Sequence, residues 1–159
     1  MKLILQILFL LFINTAPAVD YIFEFQANIK MIKEYTLSET KKFKNYELLG
    51  TFTDDYGNYG KFDGVVSSDI EDDKLIKLEG TARITYSNNE KIYIKAYRKE
   101  SDFDAGVANM KIIGASINLK SLINTNCIQS VRYFKDTIFG KTKCGISKRQ
   151  ADVLKGKFN

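Results

Sequence analysis

Four oxygen-bearing side chains cluster in one glycine-rich stretch, Gly50–Gly64, and could bind a hard metal ion. They are Asp54, Asp55, Asn58 and Asp63. Calcium prefers carboxylate and amide oxygens of this kind. The spacing differs from an EF-hand loop, because Tyr56 stands at position 3, where that loop has a ligand. Asp and Asn are also ordinary turn residues, so a simple hairpin turn is the alternative interpretation.

A second acidic cluster could support acid–base chemistry. It consists of Asp69, Glu71, Asp72 and Asp73. Paired carboxylates hydrolyse glycosidic bonds, but no motif places these residues at a strand end, and such a cluster is more often a solvated loop than a site. The sequence contains no histidine, which excludes Ser–His and Cys–His nucleophile pairs and removes the usual general base and zinc ligand. The sequence favours a protein that is not an enzyme, and we predict no cofactor.

Aromatic and basic residues alternate along one stretch that reads as a strand. We expect Tyr93 and Tyr97, with Lys91, Lys95 and Arg98, to form an exposed stripe on one face of this strand. Such a stripe could stack sugars or single-stranded bases and dock on an anionic surface. Cross-strand packing explains the same pattern. We predict no specific recognition of nucleic acid.

The two cysteines, Cys127 and Cys144, predict a disulfide within a hairpin. Directly opposed residues around a two-residue turn have a constant sum of residue numbers. Here that sum centres the turn on Lys135 and Asp136. The twist at the bridge suggests a β-bulge, and Gly140 is the expected position.

The start of the chain has the pattern of a secretory signal peptide, residues 1–18. The apolar run Leu3–Ile13 follows a basic start, and Ala16 and Ala18 supply the small residues before cleavage. Val19 would then begin the mature chain. The run is too short to span a bilayer, which needs about 20 residues. We therefore expect a secreted or periplasmic protein with no stable membrane insertion after cleavage.

The remaining chain, residues 19–159, has the size of one domain. Its basic residues are concentrated at the end, since residues 141–159 carry six of them and a single acidic one. The basic C-terminal segment 148–159 could seek an anionic surface, or it could be a solvated terminus. Ser147 and Gln150 have the spacing of a capping box and predict a short helix, with a disordered tail as the alternative.

Alternation of apolar and polar residues predicts strands along most of the chain. The predicted strands are Tyr21–Ile29, Tyr46–Thr53, Tyr59–Ser67, Ile76–Tyr86, Lys91–Arg98, one or two within Ala105–Leu119, and the arms of the cysteine hairpin. Ile76 is expected on the apolar face of its strand, and Ala105–Leu119 is expected to be buried on both faces. Lys30–Asn45 could extend the first strand or form a long loop. The fold class is all-β, a single antiparallel barrel of about eight strands, with a β-sandwich as the alternative.

The glycine-interrupted strands resemble those of the small exported eight-stranded barrels of the allene oxide cyclase and dirigent type. The stretches that carry the resemblance are Gly50–Gly64 and Gly106–Leu122. The resemblance implies a barrel that binds an apolar small molecule and steers a cyclisation or a coupling. No functional position of those families can be placed on this sequence.

Three functions follow from these observations. The first is an exported barrel that binds a small apolar ligand. The second is a surface interaction protein that docks on a polymer or partner through its basic and tyrosine-bearing face. The third is a carboxylate-dependent enzyme.

Overall fold

The computed structural model describes residues 18–102 and 104–156. Within these residues the chain forms eight strands, one 3-10 helix and one α-helix. The strands are β1 (Val19–Thr36), β2 (Lys41–Asp54), β3 (Tyr59–Glu71), β4 (Lys74–Tyr86), β5 (Lys91–Asp102), β6 (Ala105–Ala115), β7 (Asn126–Phe134) and β8 (Thr137–Ile146). The 3-10 helix is Ile117–Leu122, and helix α1 is Lys148–Gly156. The predicted signal peptide lies almost entirely outside the described residues, as do the last three residues of the basic C-terminal segment.

The strands close into an antiparallel barrel in sequence order, with β8 pairing back to β1. The barrel prediction is confirmed and the sandwich alternative is wrong. Side chains alternate across a strand, so one face of each strand points into the barrel and the other to solvent. In β1, for example, Tyr21, Phe23, Phe25 and Ala27 are buried while the residues between them are not.

The barrel interior is filled largely by aromatic and branched side chains. The rings of Phe25 and Phe62 stack with their centroids 4.2 Å apart. The rings of Phe52 and Tyr86 meet edge to face at 5.0 Å. Such ring pairs stabilise a core beyond the area that they bury.

One end of the barrel is covered by the two helices. Leu119 and Leu122 of the 3-10 helix and Leu154 of α1 are fully buried there. The predicted capping box is confirmed, since the Gln150 side chain accepts from the Ser147 backbone N–H at 2.7 Å and the Ser147 hydroxyl accepts from the Gln150 N–H at 3.3 Å. We call this the closed end of the barrel.

At the opposite end, the last part of β1 extends beyond its pairing with β8, whereas β2 is paired with β3 from Lys41 onwards. The segment Lys30–Asn45 therefore belongs to two long strands joined at residues 37–40, and the long-loop alternative is wrong. β1 pairs with β2 as far as Thr36 but with β8 only as far as Asn28. A bulge lies between Met31 and Lys33. Bulges and lysines are the usual means by which an exposed strand edge avoids pairing with other chains.

The disulfide hairpin is confirmed in both its bond and its register. Cys127 and Cys144 are bonded and directly opposed in β7 and β8, and the turn residues are Lys135 and Asp136. The expected bulge at Gly140 is wrong, because the β7–β8 register is regular through that residue. Glycine stands there for a different reason: a Cβ atom would lie 2.0 Å from Cε1 of Phe25.

Two further expectations about strand faces are wrong. Ile76 is 40% exposed, because the register of β4 against β3 shifts at this residue and turns its side chain outward. Ala105–Leu119 is not buried on both faces, since β6 ends at Ala115 and its outward residues Val107 and Ile113 are 62% and 47% exposed.

Candidate functional site

Asp54 is held by hydrogen bonds from its own turn and from Tyr21 of β1. Its Oδ1 accepts from the backbone N–H groups of Tyr56 and Asn58 at 3.0 and 2.8 Å. Its Oδ2 accepts from the Asn58 amide at 2.8 Å and from the Tyr21 hydroxyl at 3.1 Å. The turn also needs Gly57, whose φ of 84° is disfavoured for other residues. These contacts explain Asp54 and Asn58 as structural turn residues.

The other two oxygen-bearing residues lie apart from that arrangement. Asp63 is on the outer face of β3 and forms an ion pair with Arg83 at 3.0 Å. Asp55 is exposed at the tip of the turn. Within residues 18–102 and 104–156, no group of three or more acidic or cysteine side chains is placed to hold a metal ion.

The acidic cluster after Ser68 is also dispersed. Glu71 forms an ion pair with Lys41 at 3.2 Å, and Asp73 lies 3.9 Å from Lys42. Asp72 and Asp73 form the β3–β4 turn, both with positive φ. Glu71 and Asp73 therefore pair with lysines of β2 at the end of the barrel opposite the helices, and we propose no catalytic role for this cluster.

Buried tyrosine pairs stabilise both ends of the barrel. The hydroxyls of Tyr21 and Tyr86 are 3.1 Å apart at the closed end, and those of Tyr46 and Tyr133 are 3.0 Å apart towards the opposite end. Burial raises the pKa of each of these four phenols above its ordinary value. They remain neutral at physiological pH and act as hydrogen-bonding residues of the core.

The barrel encloses a small cavity of about 40 Å³. Its walls are mostly apolar, with Phe25, Leu48 and Phe62 on one side and Gln129 and Tyr133 among the polar contributions. Pockets that bind drug-sized ligands have roughly 300–1,000 Å³. The cavity therefore has room for only a few atoms, and the small-ligand function stays a prediction.

Arg98 does not belong to the predicted tyrosine stripe. Its side chain is only 1% exposed and lies on the inner face of β5, so its placement on the outer face is wrong. Its guanidinium donates to the Ser101 hydroxyl at 2.8 Å, to the Ala105 carbonyl at 2.6 Å and to the Asp102 carbonyl. Burial lowers its pKa. Arg98 thus anchors the turn from β5 to β6.

The rest of the predicted stripe does lie on the outer surface, and neighbouring strands extend it. We call the outer surface of β4, β5 and β6 the basic face. Its members are Lys77, Lys91, Lys95, Lys99, Lys111, Tyr93 and Tyr97. The ring of Tyr97 lies 5.7 Å from the Lys99 ammonium. Among the described residues, no acidic side chain forms an ion pair with a lysine of this face other than Lys77, which contacts Glu79 at 3.2 Å.

The strand register places like charges directly opposite each other on the basic face. Lys77 of β4 faces Lys99 of β5, and Lys95 of β5 faces Lys111 of β6. Directly opposed like charges destabilise a sheet. The register therefore concentrates positive charge here at a cost in stability.

Apart from these two lysine pairs, the directly opposed charges of the described barrel have opposite signs. The opposed pairs are Glu24–Lys141, Lys30–Glu47, Glu34–Lys44, Lys41–Glu71, Asp63–Arg83, Asp69–Lys77, Glu71–Lys74 and Lys74–Asp102. The two lysine pairs of the basic face thus depart from the rule that the other opposed charges follow. The sequence could not identify this feature, because the opposed lysines come from different strands and meet only in the correct register.

Comparison with known proteins provides no independent guide to the site. No protein-family model matches the chain, and no curated protein or solved structure is significantly similar to it. The resemblance to the allene oxide cyclase and dirigent barrels therefore rests on the sequence pattern alone. No helix within the described residues is both long enough and apolar enough to cross a membrane.

Proposed function

We propose that this protein is an exported β-barrel that binds a polyanion through its basic face. The observation that carries the proposal is the pair of opposed lysines, Lys77–Lys99 and Lys95–Lys111, on a barrel whose other opposed charges are complementary. Repulsion between fixed like charges is relieved when an anionic partner lies between them. The disulfide Cys127–Cys144 and the predicted signal peptide support export, because disulfides persist in oxidising compartments.

The spacing of the lysines suits a linear polymer. Lys91, Lys95 and Lys99 recur every fourth residue along β5, and a strand rises about 3.4 Å per residue. The cations are therefore about 14 Å apart along the strand, while Lys77 and Lys111 widen the charged surface across it. A single small anion could bridge one opposed pair, such as Lys95 and Lys111, but not the successive lysines along the strand. A chain with repeated charges could contact several.

The proposal is tested with fluorescein-labelled polyphosphate and polygalacturonate, which share charge but differ in chemistry. The double variant Lys95→Gln/Lys111→Gln should bind both probes more weakly by about 1 kcal/mol, roughly fivefold. Rising salt should weaken binding by the unmodified protein, because exposed charges are screened. The free energy of unfolding of the variant should also rise by a few tenths of a kcal/mol, because the variant removes one repulsive pair. Its melting temperature should therefore be slightly higher.

The matched control removes the same charge from the opposite side of the barrel. Lys141 and Lys143 of β8 form ion pairs with Glu24 and Asp20 at 2.9 and 2.7 Å. The variant Lys141→Gln/Lys143→Gln should retain polyanion binding within about twofold and gain no stability. Equal loss of affinity in the two double variants would show that only net charge matters and would overturn the proposal.

A further inference from the structure

We infer that the polyanion is an acidic polysaccharide and that Tyr93 is the platform on which one of its sugar rings stacks. This inference rests on the proposed function, because it assigns the partner of the same face. It adds a specificity site beside the lysines. It also distinguishes a glycan from other polymers that carry negative charge.

The ring of Tyr93 is supported from beneath by bare backbone. Gly114 of β6 is directly opposite Tyr93, and a Cβ atom added to that glycine would lie 3.3 Å from Cδ2 of the tyrosine. An aromatic ring commonly covers a glycine on a neighbouring strand in this way. The Tyr93 side chain is still 40% exposed. It therefore offers a rigid aromatic surface to a partner at little cost in side-chain freedom.

A groove of about 320 Å³ adjoins this ring on the outer surface of β2 to β5. Leu49 and Val65 line it and are 53% and 50% exposed. Exposed branched side chains beside an aromatic ring form an apolar strip on an otherwise charged surface. The C–H face of a pyranose ring can pack on such a strip, whereas phosphate groups gain nothing from it.

The polar residues of the groove favour hydroxyl groups over phosphates. Thr81 contributes a hydroxyl, and the carboxylates of Glu47 and Asp63 form ion pairs with Lys30 at 3.6 Å and with Arg83 at 3.0 Å. Carboxylates accept hydrogen bonds, which sugar hydroxyls can donate and ionised phosphates cannot. The groove thus fits the uncharged part of a sugar unit, and the neighbouring lysines fit its acidic groups.

The register joins the two parts of this site. Tyr93 and Lys95 are two residues apart on the outer face of β5, about 7 Å along the strand. Lys111 lies directly opposite Lys95. A sugar on Tyr93 would therefore have the carboxylate of an adjoining unit within reach of both lysines. Single-stranded nucleic acid also stacks on tyrosine, but its backbone would approach Glu47 and Asp63.

The test compares binding of polygalacturonate, polyphosphate and a thymidine oligonucleotide to the full chain and its variants. Tyr93→Ala should weaken polygalacturonate binding about tenfold and leave polyphosphate binding within about twofold. Tyr93→Phe, which keeps the ring, should restore polygalacturonate binding. Tyr59→Ala is the matched control, because Tyr59 is 60% exposed on β3 away from the groove.

The outcomes separate this inference from the proposed function. If Tyr93→Ala leaves polygalacturonate binding unchanged, or weakens polyphosphate equally, the sugar platform is refuted while the basic face remains. If the oligonucleotide is bound more tightly than polygalacturonate and depends on Tyr93, the partner is a nucleic acid and the inference is wrong. If the unmodified protein binds none of the three probes, the proposed function itself fails.

Discussion

The substitution Arg98→Met distinguishes two positions of this side chain. The sequence predicts an outward position, and the structure shows an inward one. An arginine on the outer face would contribute to polyanion binding and little to stability. In the structure the guanidinium is buried and donates to Ser101, Asp102 and Ala105. Methionine matches the aliphatic stem of arginine, so it keeps the packing of the stem and removes the guanidinium with its charge and hydrogen bonds.

The magnitude follows from the three hydrogen bonds. Bonds from a charged group contribute about 1.5–3 kcal/mol each. At the lower value, loss of the three bonds costs about 4–5 kcal/mol. Part of this cost is offset, because the variant no longer buries a charge. We expect a net loss of about 3 kcal/mol in the free energy of unfolding. For a chain of this size that corresponds to a fall of roughly 6–12 °C in Tm.

The neighbouring residue on the outer face provides the control. Lys99→Met should change the free energy of unfolding by no more than about 0.5 kcal/mol and should weaken polyphosphate binding. Arg98→Met should instead lower the free energy of unfolding and leave polyphosphate binding unchanged. Its binding is measured at a temperature where the variant is folded. Stability is measured by thermal melting, and polyphosphate binding is measured by fluorescence anisotropy. If Arg98→Met melts like the unmodified protein and binds polyphosphate more weakly, the inward position of Arg98 is refuted.

Three further predictions concern the barrel itself. Replacing Cys127 and Cys144 by serine should lower the free energy of unfolding by about 3 kcal/mol, because the closed loop spans a separation of 17 residues; an unchanged urea midpoint would mean that β6 and β1 hold the hairpin without the bond. Gly140→Ala should cost about 2 kcal/mol, since the added Cβ meets the Phe25 ring at 2.0 Å, and adding Phe25→Leu should recover part of the loss; an additive second loss in urea melts would contradict this. Burial raises the pKa of the tyrosines above that of the unfolded chain, about 10, so the unfolded state loses protons first as pH rises. The tyrosines concerned are Tyr21, Tyr46, Tyr86 and Tyr133. Stability should therefore fall above pH 10 by about 1.4 kcal/mol per pH unit for each tyrosine, and a flat urea midpoint between pH 10 and 11 would refute the burial of these hydroxyls.

Local patterns predicted the barrel because its strands pair in sequence order. The turn between β7 and β8 followed from the positions of two cysteines, and the capping box of α1 followed from Ser147 and Gln150. In a meander each strand pairs with its neighbours along the chain, so turn positions go far towards setting the register. The sequence alone does not place the bulge at Ile76 or exclude one at Gly140, because a bulge depends on contacts with another strand.

The sequence also contained the information that places Arg98, although its chemical type suggested otherwise. Arg98 has the same parity as Ile92 and Ile94, which are buried, whereas Tyr93 and Lys95 have the opposite parity. Strand periodicity therefore predicts an inward side chain. A buried arginine is rare unless its donors are satisfied, and the carbonyl groups that satisfy this one belong to the turn from β5 to β6.

The sequence by itself determined the all-β class, the alternating faces, the cysteine hairpin and the presence of a basic and tyrosine-rich strand. These properties are local, because period-two alternation and turn chemistry act over a few residues. Only the tertiary structure decided which charges face each other. Lys95 and Lys111 are separated by a turn and two strand arms, and their opposition depends on a register with a shift between Tyr93 and Ile94. The candidate site is therefore a property of strand pairing, since the repulsion that marks it exists only once β4, β5 and β6 are side by side.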